Sequence, residues 1–266
     1  MMKKWMLLLA LLLPLAAAGQ GVSRKEYVYR ADDAYCWEKC KIEVTAPMDG
    51  AEHPVIVWFH GGGLSGGHYA TPKTLAESGH VVFSAGYRLV PQVSVAQIID
   101  DAAAAVAWVF AHAEEYGGDL SKVFLAGHSA GGYLVSMLAL DKHYLEKYSI
   151  DADKLAGVVP YSGQSITHFA ERQMHGIGAL TPTIDDLAPI AHLRADAPPL
   201  YVISGDRELE MNGRYEENAY FVRMLRLNGH KDVRFVELGG FSHGAMAAPA
   251  HYLLLSYIRE KTKKNR

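Results

Sequence analysis

Five consecutive residues, Gly127-His128-Ser129-Ala130-Gly131, constrain this chain more than any other stretch. They follow an apolar run at 122–128 that reads as a strand, precede a helical pattern at 130–140, and fit Gly-x-Ser-x-Gly. A strand that turns sharply into a helix forces two backbones together. The residues two before and two after the turn must then do without side chains, a need that Gly127 and Gly131 meet. The same turn pushes the Ser129 hydroxyl outward, where a base and a substrate can reach it. An ordinary glycine-flanked serine at a helix start fits the same five letters, so partners elsewhere in the chain must decide.

The rest of the pattern is consistent with that turn. Short apolar runs at 54–60, 80–87, 122–128, 155–161, 200–205 and 233–238 alternate with helical patterns at 71–78, 96–116, 130–140, 215–228 and 246–261. Alternation of this kind predicts an α/β fold with a mostly parallel sheet covered on both faces. No repeat, low-complexity run or linker divides the chain, so one domain over 20–266 is expected. Residues 162–194 fit neither period and are expected to form a short cap over the carboxyl ends of the strands, where sheets of this class hold their ligands.

The partners are in place. His60-Gly61-Gly62-Gly63 ends the strand at 54–60. Three glycines let the backbone approach a reacting carbonyl and offer N–H groups to the negative charge that develops on its oxygen, and the Ala130 N–H adds another from the start of the elbow helix. No dinucleotide fingerprint or P-loop fits these letters. His60 itself reads as a brace for the loop. The acid and the base should follow the serine in that order, each after a later strand. Asp206 ends the strand at 200–205, and His243 follows the strand at 233–238. The expected catalytic set is therefore Ser129, His243 and Asp206, with Glu208 as the alternative acid and Glu210 close by. Tyr161, Ser162, Gln164 and His168, after the strand that follows the elbow, are candidate pocket residues. Arg88 with Asp100 or Asp101 reads as an ion pair tying a strand end to the long helix.

A formal charge of −3 offers no basic field for nucleic acid or an anionic membrane. Met1-Met2-Lys3-Lys4, an apolar run at 5–15 and Ala16-Ala17-Ala18-Gly19 read as a secretory signal peptide over 1–19, too short an apolar stretch for a membrane anchor. The mature protein is expected to be secreted or periplasmic. Export permits a disulfide between Cys36 and Cys40, and two inward-packed thiols are the other reading. A zinc site would need four ligands, and no second pair stands at comparable spacing.

His60-Gly61-Gly62-Gly63, Tyr87-Arg88-Leu89 and Gly127-His128-Ser129-Ala130-Gly131 together resemble the hormone-sensitive-lipase-like esterases, and especially the small secreted α/β-hydrolases grouped with acetylxylan and feruloyl esterases. The resemblance covers nearly all of the mature chain. It implies an α/β-hydrolase fold, oxyanion donors at Gly62, Gly63 and Ala130, and Gly61 turning the loop. It further implies hydrolysis of short or aromatic acyl esters, acetyl or feruloyl, of a carbohydrate or similar alcohol, with no metal or cofactor. The sequence departs from that pattern after Asp206, where relatives carry Pro-Leu and this chain carries Arg207-Glu208-Leu209, and its cap is short. A prolyl-oligopeptidase-like peptidase is one rival, although the chain has no room for that class's propeller. A hydrolase-fold binding protein without activity is another, although such proteins usually lose the serine or the histidine. A lipase would need a less polar lid than 162–194.

Overall fold

The computed structural model of the protein describes residues 21–211 and 213–263; the expected leader at 1–19 lies outside them. In chain order the elements are β1 (Val22–Val28), α1 (Ala34–Lys39), β2 (Lys41–Pro47), β3 (His53–Phe59), α2 (Lys73–Ala76), β4 (Val81–Ala85), α3 (Val95–His112), β5 (Gly118–His128), α4 (Ala130–Leu140), α5 (His143–Glu146), β6 (Gly157–Tyr161), α6 (Phe169–Met174), β7 (Leu200–Gly205), α7 (Arg214–Leu227), β8 (Val233–Leu238) and α8 (Ala247–Thr262). The eight strands form one sheet in the order β1-β2-β4-β3-β5-β6-β7-β8. Pairing is antiparallel for β1 with β2 and β2 with β4, and parallel from β4 to β8.

Alternation along the central strands divides the core in two. Val55, Val57 and Phe59 of β3 and Val123 and Leu125 of β5 pack with α3 and α4, while Ile56, Trp58, Phe124 and Ala126 point to the other face and meet Ala250, Leu254 and Tyr257 of α8. Covered on both sides, these strands must be apolar throughout, which is why they read as continuous runs. Helix α3 starts from a capping box, with the Ser94 hydroxyl accepting from the Gln97 N–H and the Gln97 side chain accepting from the Ser94 N–H. All eleven residues of α4 are buried. Its close approach depends on Gly131, where an added Cβ would lie 2.0 Å from the Phe59 carbonyl oxygen.

The strands β7 and β8 and the helix α4 coincide with the expected ranges. The pair β1 and β2 was not anticipated. Arg24, Lys25 and Glu26 occupy the middle of β1, so its apolar signal is weak, as suits an edge strand guarded by charge. The predicted ion pair is present in a fuller form. Arg88 Nε and Nη2 donate to the two oxygens of Asp101 at 2.8 and 2.7 Å, and Arg30 Nη1 bridges Asp100 and Asp101 at 2.8 and 2.9 Å. Cys36 and Cys40, one helical turn apart at α1, are buried free thiols, the second of the two readings. Residues 162–199, between β6 and β7, carry α6, whose Phe169 lies beside Gly63 in the loop after β3.

Candidate active site

The β5–α4 turn holds Ser129 at φ 55° and ψ −114°, a conformation that non-glycine residues rarely adopt and that costs on the order of 1–3 kcal/mol. Surrounding contacts hold it there. The Ser129 N–H donates to the Tyr161 carbonyl at 2.8 Å, and a Cβ at Gly127 would lie 2.5 Å from the backbone of Gly131. The hydroxyl thus stands at the carboxyl end of a central strand, facing the loop that follows β8.

That loop delivers His243. Ser129 Oγ donates to His243 Nε2 at 2.8 Å, and His243 Nδ1 donates to Glu210 Oε2 at 2.7 Å. The carboxylate beside the imidazole is Glu210, which corrects the expectation of Asp206 and of its alternative Glu208. The reason is a tight turn after β7, in which the Glu210 N–H donates to the Asp206 carbonyl at 2.8 Å. This folds the chain back and carries Glu210 inward, its side chain only 1% exposed, while Glu208 points to solvent. Asp206 has another task. Its carboxylate accepts from the Gly240 N–H at 2.6 Å and its own N–H donates to the Phe241 carbonyl at 2.8 Å, so it clamps the loop that carries His243. The departure from Pro-Leu after Asp206 is the one signal in the sequence of a displaced acid.

Glu210 is well supported. Burial raises its pKa, but the hydrogen bonds from His243 and Ser162 and the nearby imidazole outweigh burial and hold the carboxyl at about 2. Its Oε1 accepts from the Ser162 hydroxyl and from the Gly205 N–H, the latter at 3.0 Å. His128, inside the elbow motif, bonds through Nε2 to the His243 carbonyl at 2.8 Å and so fixes that residue's backbone.

On the opposite side, Gly62 and Gly63 have φ of 121° and 64°, accessible to glycine and hostile to other residues. A Cβ at Gly62 would lie 2.1 Å from the Gly66 carbonyl oxygen, and one at Gly61 would lie 3.3 Å from the Ser129 Cβ. The loop therefore runs directly past the serine. Among the described residues no backbone carbonyl accepts from the N–H groups of Gly62, Gly63 or Ala130. His60 braces the loop as expected, stacked on Tyr87 at 4.4 Å, with Nδ1 at 2.6 Å from the Gly61 carbonyl oxygen.

Of the four candidate pocket residues, only Gln164 lines the cleft beside the site. Tyr161 is wholly buried against Trp58 and contributes its carbonyl to the elbow. Ser162 is buried, at φ 44°, and serves Glu210. His168 caps α6 by accepting from the Ala170 N–H at 3.1 Å and packs against Tyr133. Residues directly after a strand turn inward to finish the core before the chain reaches the cleft.

Four imidazoles, His60, His80, His128 and His251, are held at about 4, chiefly by burial. Unfolded, they would take protons below about 6.5. The unfolded state thus binds more protons than the native state as the pH falls toward 4, and stability drops by up to about 1.4 kcal/mol per pH unit for each group. Glu210, with its lowered pKa, gives up its contribution only below about 4.5, so the window from 6.5 to 4.5 belongs to the histidines. A scanning calorimetry series at pH 7, 6, 5 and 4.5 is expected to show a steadily falling Tm. A flat series would contradict the buried neutral imidazoles.

A mostly parallel eight-stranded sheet, with a strained serine after a central strand and a histidine and a carboxylate on later loops, defines an α/β-hydrolase. The fold is shared with Thermogutta terrifontis esterase 2, at a TM-score of 0.74 and 22% identity over 91% of this chain and 96% of that one. A bacterial heroin esterase superposes at 0.71, with 23% identity over 92% and 86%. The BD-FAE family model matches residues 42–213, and the chain belongs to that family. Two similar proteins come from Mycobacterium tuberculosis. The probable carboxylic ester hydrolase LipM is 26% identical over 80% of this chain and 53% of its own length, and the esterase LipC is 30% identical over 72% and 51%. The chain spans about half the length of these curated relatives.

Proposed function

We propose that this protein is a serine carboxylesterase of the hormone-sensitive-lipase-like group that cleaves short-chain or aromatic acyl esters through an acyl-enzyme. The observation that carries the reading is the unbroken line from Ser129 Oγ through His243 to Glu210, facing a glycine loop with uncommitted N–H groups. In this reading His243 Nε2 takes the Ser129 proton as Oγ attacks the ester carbonyl, and Glu210 holds the Nδ1–H tautomer and stabilises the imidazolium. The N–H groups of Gly62, Gly63 and Ala130 receive the oxyanion. The imidazolium then gives its proton to the departing alcohol, and water repeats the sequence on the acyl-enzyme.

Esterase relatives support the reaction class. The short cap and open site favour a small acyl group on a bulky alcohol such as a carbohydrate, and the sequence at 1–19 favours export. Rates on p-nitrophenyl acetate, butyrate and octanoate test this, with acetate expected to exceed octanoate about tenfold or more in kcat/KM. Treatment with diethyl p-nitrophenyl phosphate is expected to add one phosphoryl group to the peptide bearing Ser129, read by mass spectrometry. Octanoate as the best substrate would remove the short-acyl assignment, and an unlabelled Ser129 would remove the serine mechanism.

A further inference from the structure

Beside the triad, a cleft of about 470 Å³ runs between the cap and the start of α7, walled by Gln164, Phe169, Arg172, Met211, Arg214 and Glu217. It adjoins the reacting groups on two sides. Phe169 lies over the oxyanion loop, its Cζ 2.9 Å from where a Cβ on Gly63 would stand, and Met211 directly follows Glu210. The cleft is where one end of an ester bound at Ser129 would extend.

Its charge is unusual. Arg172 and Arg214 are each only 3% exposed, yet neither has a carboxylate within ion-pair distance among the described residues. Arg172 donates through Nε to the Thr167 carbonyl at 3.0 Å and through Nη1 to the Thr181 carbonyl at 2.5 Å. Arg214 donates through Nη1 to the Ser162 carbonyl, and its buried Nε has no acceptor among the described residues. Carbonyl dipoles hold both guanidinium groups in place without cancelling their charge, and among the described residues each keeps an uncommitted Nη2. Buried charges are ordinarily paired or bound to a ligand. Glu217, which acts on both arginines, accepts from the Ser165 N–H at 3.3 Å, and burial raises its pKa; the other carboxylate that acts on Arg214, Glu210, is already engaged by His243 and Ser162.

We propose that this cleft is a carboxylate subsite, in which Arg172 and Arg214 hold an anionic carboxyl group at one end of the ester, while Phe169 and Met211 cover the apolar part between that group and Ser129. The proposal rests on the esterase reading only for its link to turnover. Arg214 presents Nε and Nη2, a fork that matches a carboxylate in two parallel hydrogen bonds, and the Arg172 Nη2 adds a third donor, an arrangement that a neutral chain end cannot match. The carboxylate could belong to the acyl group or to the alcohol.

Binding and turnover test it separately. On the Ser129→Ala protein, calorimetry is expected to show that adipate binds and that its neutral diamide does not. Arg172→Met and Arg214→Met should each weaken adipate about tenfold or more, and Arg172→Lys, which keeps the charge but loses the planar group, should weaken it less than Arg172→Met does. In turnover, monoethyl adipate against ethyl heptanoate reports a carboxylate on the acyl side, and 4-acetoxybenzoate against 4-methylphenyl acetate reports one on the alcohol side. A preference of about tenfold or more for the anion in one pair, read as a ratio of kcat/KM and lost in the Met variants, supports the subsite and says which end it grips. These pairwise ratios need only the native protein, so a variant that fails to fold does not spoil them. No anionic preference in either pair, with the neutral esters turned over, overturns the subsite and leaves the esterase reading intact. Arginine-dependent binding of adipate with no ester hydrolysed keeps the subsite and overturns the esterase reading.

Discussion

Glu210→Gln is expected to lower kcat on p-nitrophenyl acetate by about 10³- to 10⁴-fold, while Asp206→Asn costs about tenfold or less. Glutamine fits the same space, but its amide is neutral and no longer holds the Nδ1–H tautomer. The imidazolium formed during attack also loses its counter-charge. The carboxylate of Glu210 is worth most in the transition state because it is buried and already fully ionised, held at about 2 by His243 and Ser162 against the pull of burial. Asp206 lies one layer out. Its bond to the Gly240 N–H steadies the loop bearing His243, and asparagine keeps an oxygen for that bond. Kinetics on both variants, with Glu208→Gln as an exposed comparison, decide the matter. A larger loss at Asp206 than at Glu210 would falsify the assignment of the acid.

Ser129→Ala is expected to be more damaging still, by about 10⁵- to 10⁶-fold in kcat, since it removes the nucleophile and with it the acyl-enzyme. The fold should survive. The turn is held by its neighbours, with Gly127 against Gly131 and the residue 129 N–H on the Tyr161 carbonyl, and none of these contacts uses the hydroxyl. A circular dichroism spectrum and Tm close to those of the native protein, together with the kinetic loss, would assign the effect to chemistry. Activity within tenfold of the native protein would show that ester cleavage occurs elsewhere.

The legible part of this chain was the part with a short-range cause. Periodicity located the central strands and the helices packed on them because burial on both faces demands uninterrupted apolar runs. The glycine loop and the elbow were readable because backbone collisions there exclude every side chain. His243 could be placed because one histidine stands shortly after the last strand. The edge strand β1 was hidden by Arg24, Lys25 and Glu26, whose charges protect an exposed edge and mask its alternation.

The pocket residues were misplaced for a geometric reason. Tyr161 ends the right strand and Ser162 and His168 follow it, but the chain turns inward after β6 and these residues serve the core, the acid and a helix cap. The two arginines that dominate the cleft lie 42 positions apart, on α6 and α7, and nothing local to either one marks it.

Residue types and spacing alone determined that a serine would sit on a strand-to-helix elbow, opposite a glycine loop, with a histidine after the last strand. Each of these follows from sterics within a few residues. Which carboxylate faces His243 was decided only by tertiary structure. Asp206, Glu208 and Glu210 stand at alternate positions, and sequence patterns treat them almost alike. The turn after β7 sends one to a loop amide, one to water and one to the imidazole, and that difference exists only once β7, β8 and the elbow are packed side by side.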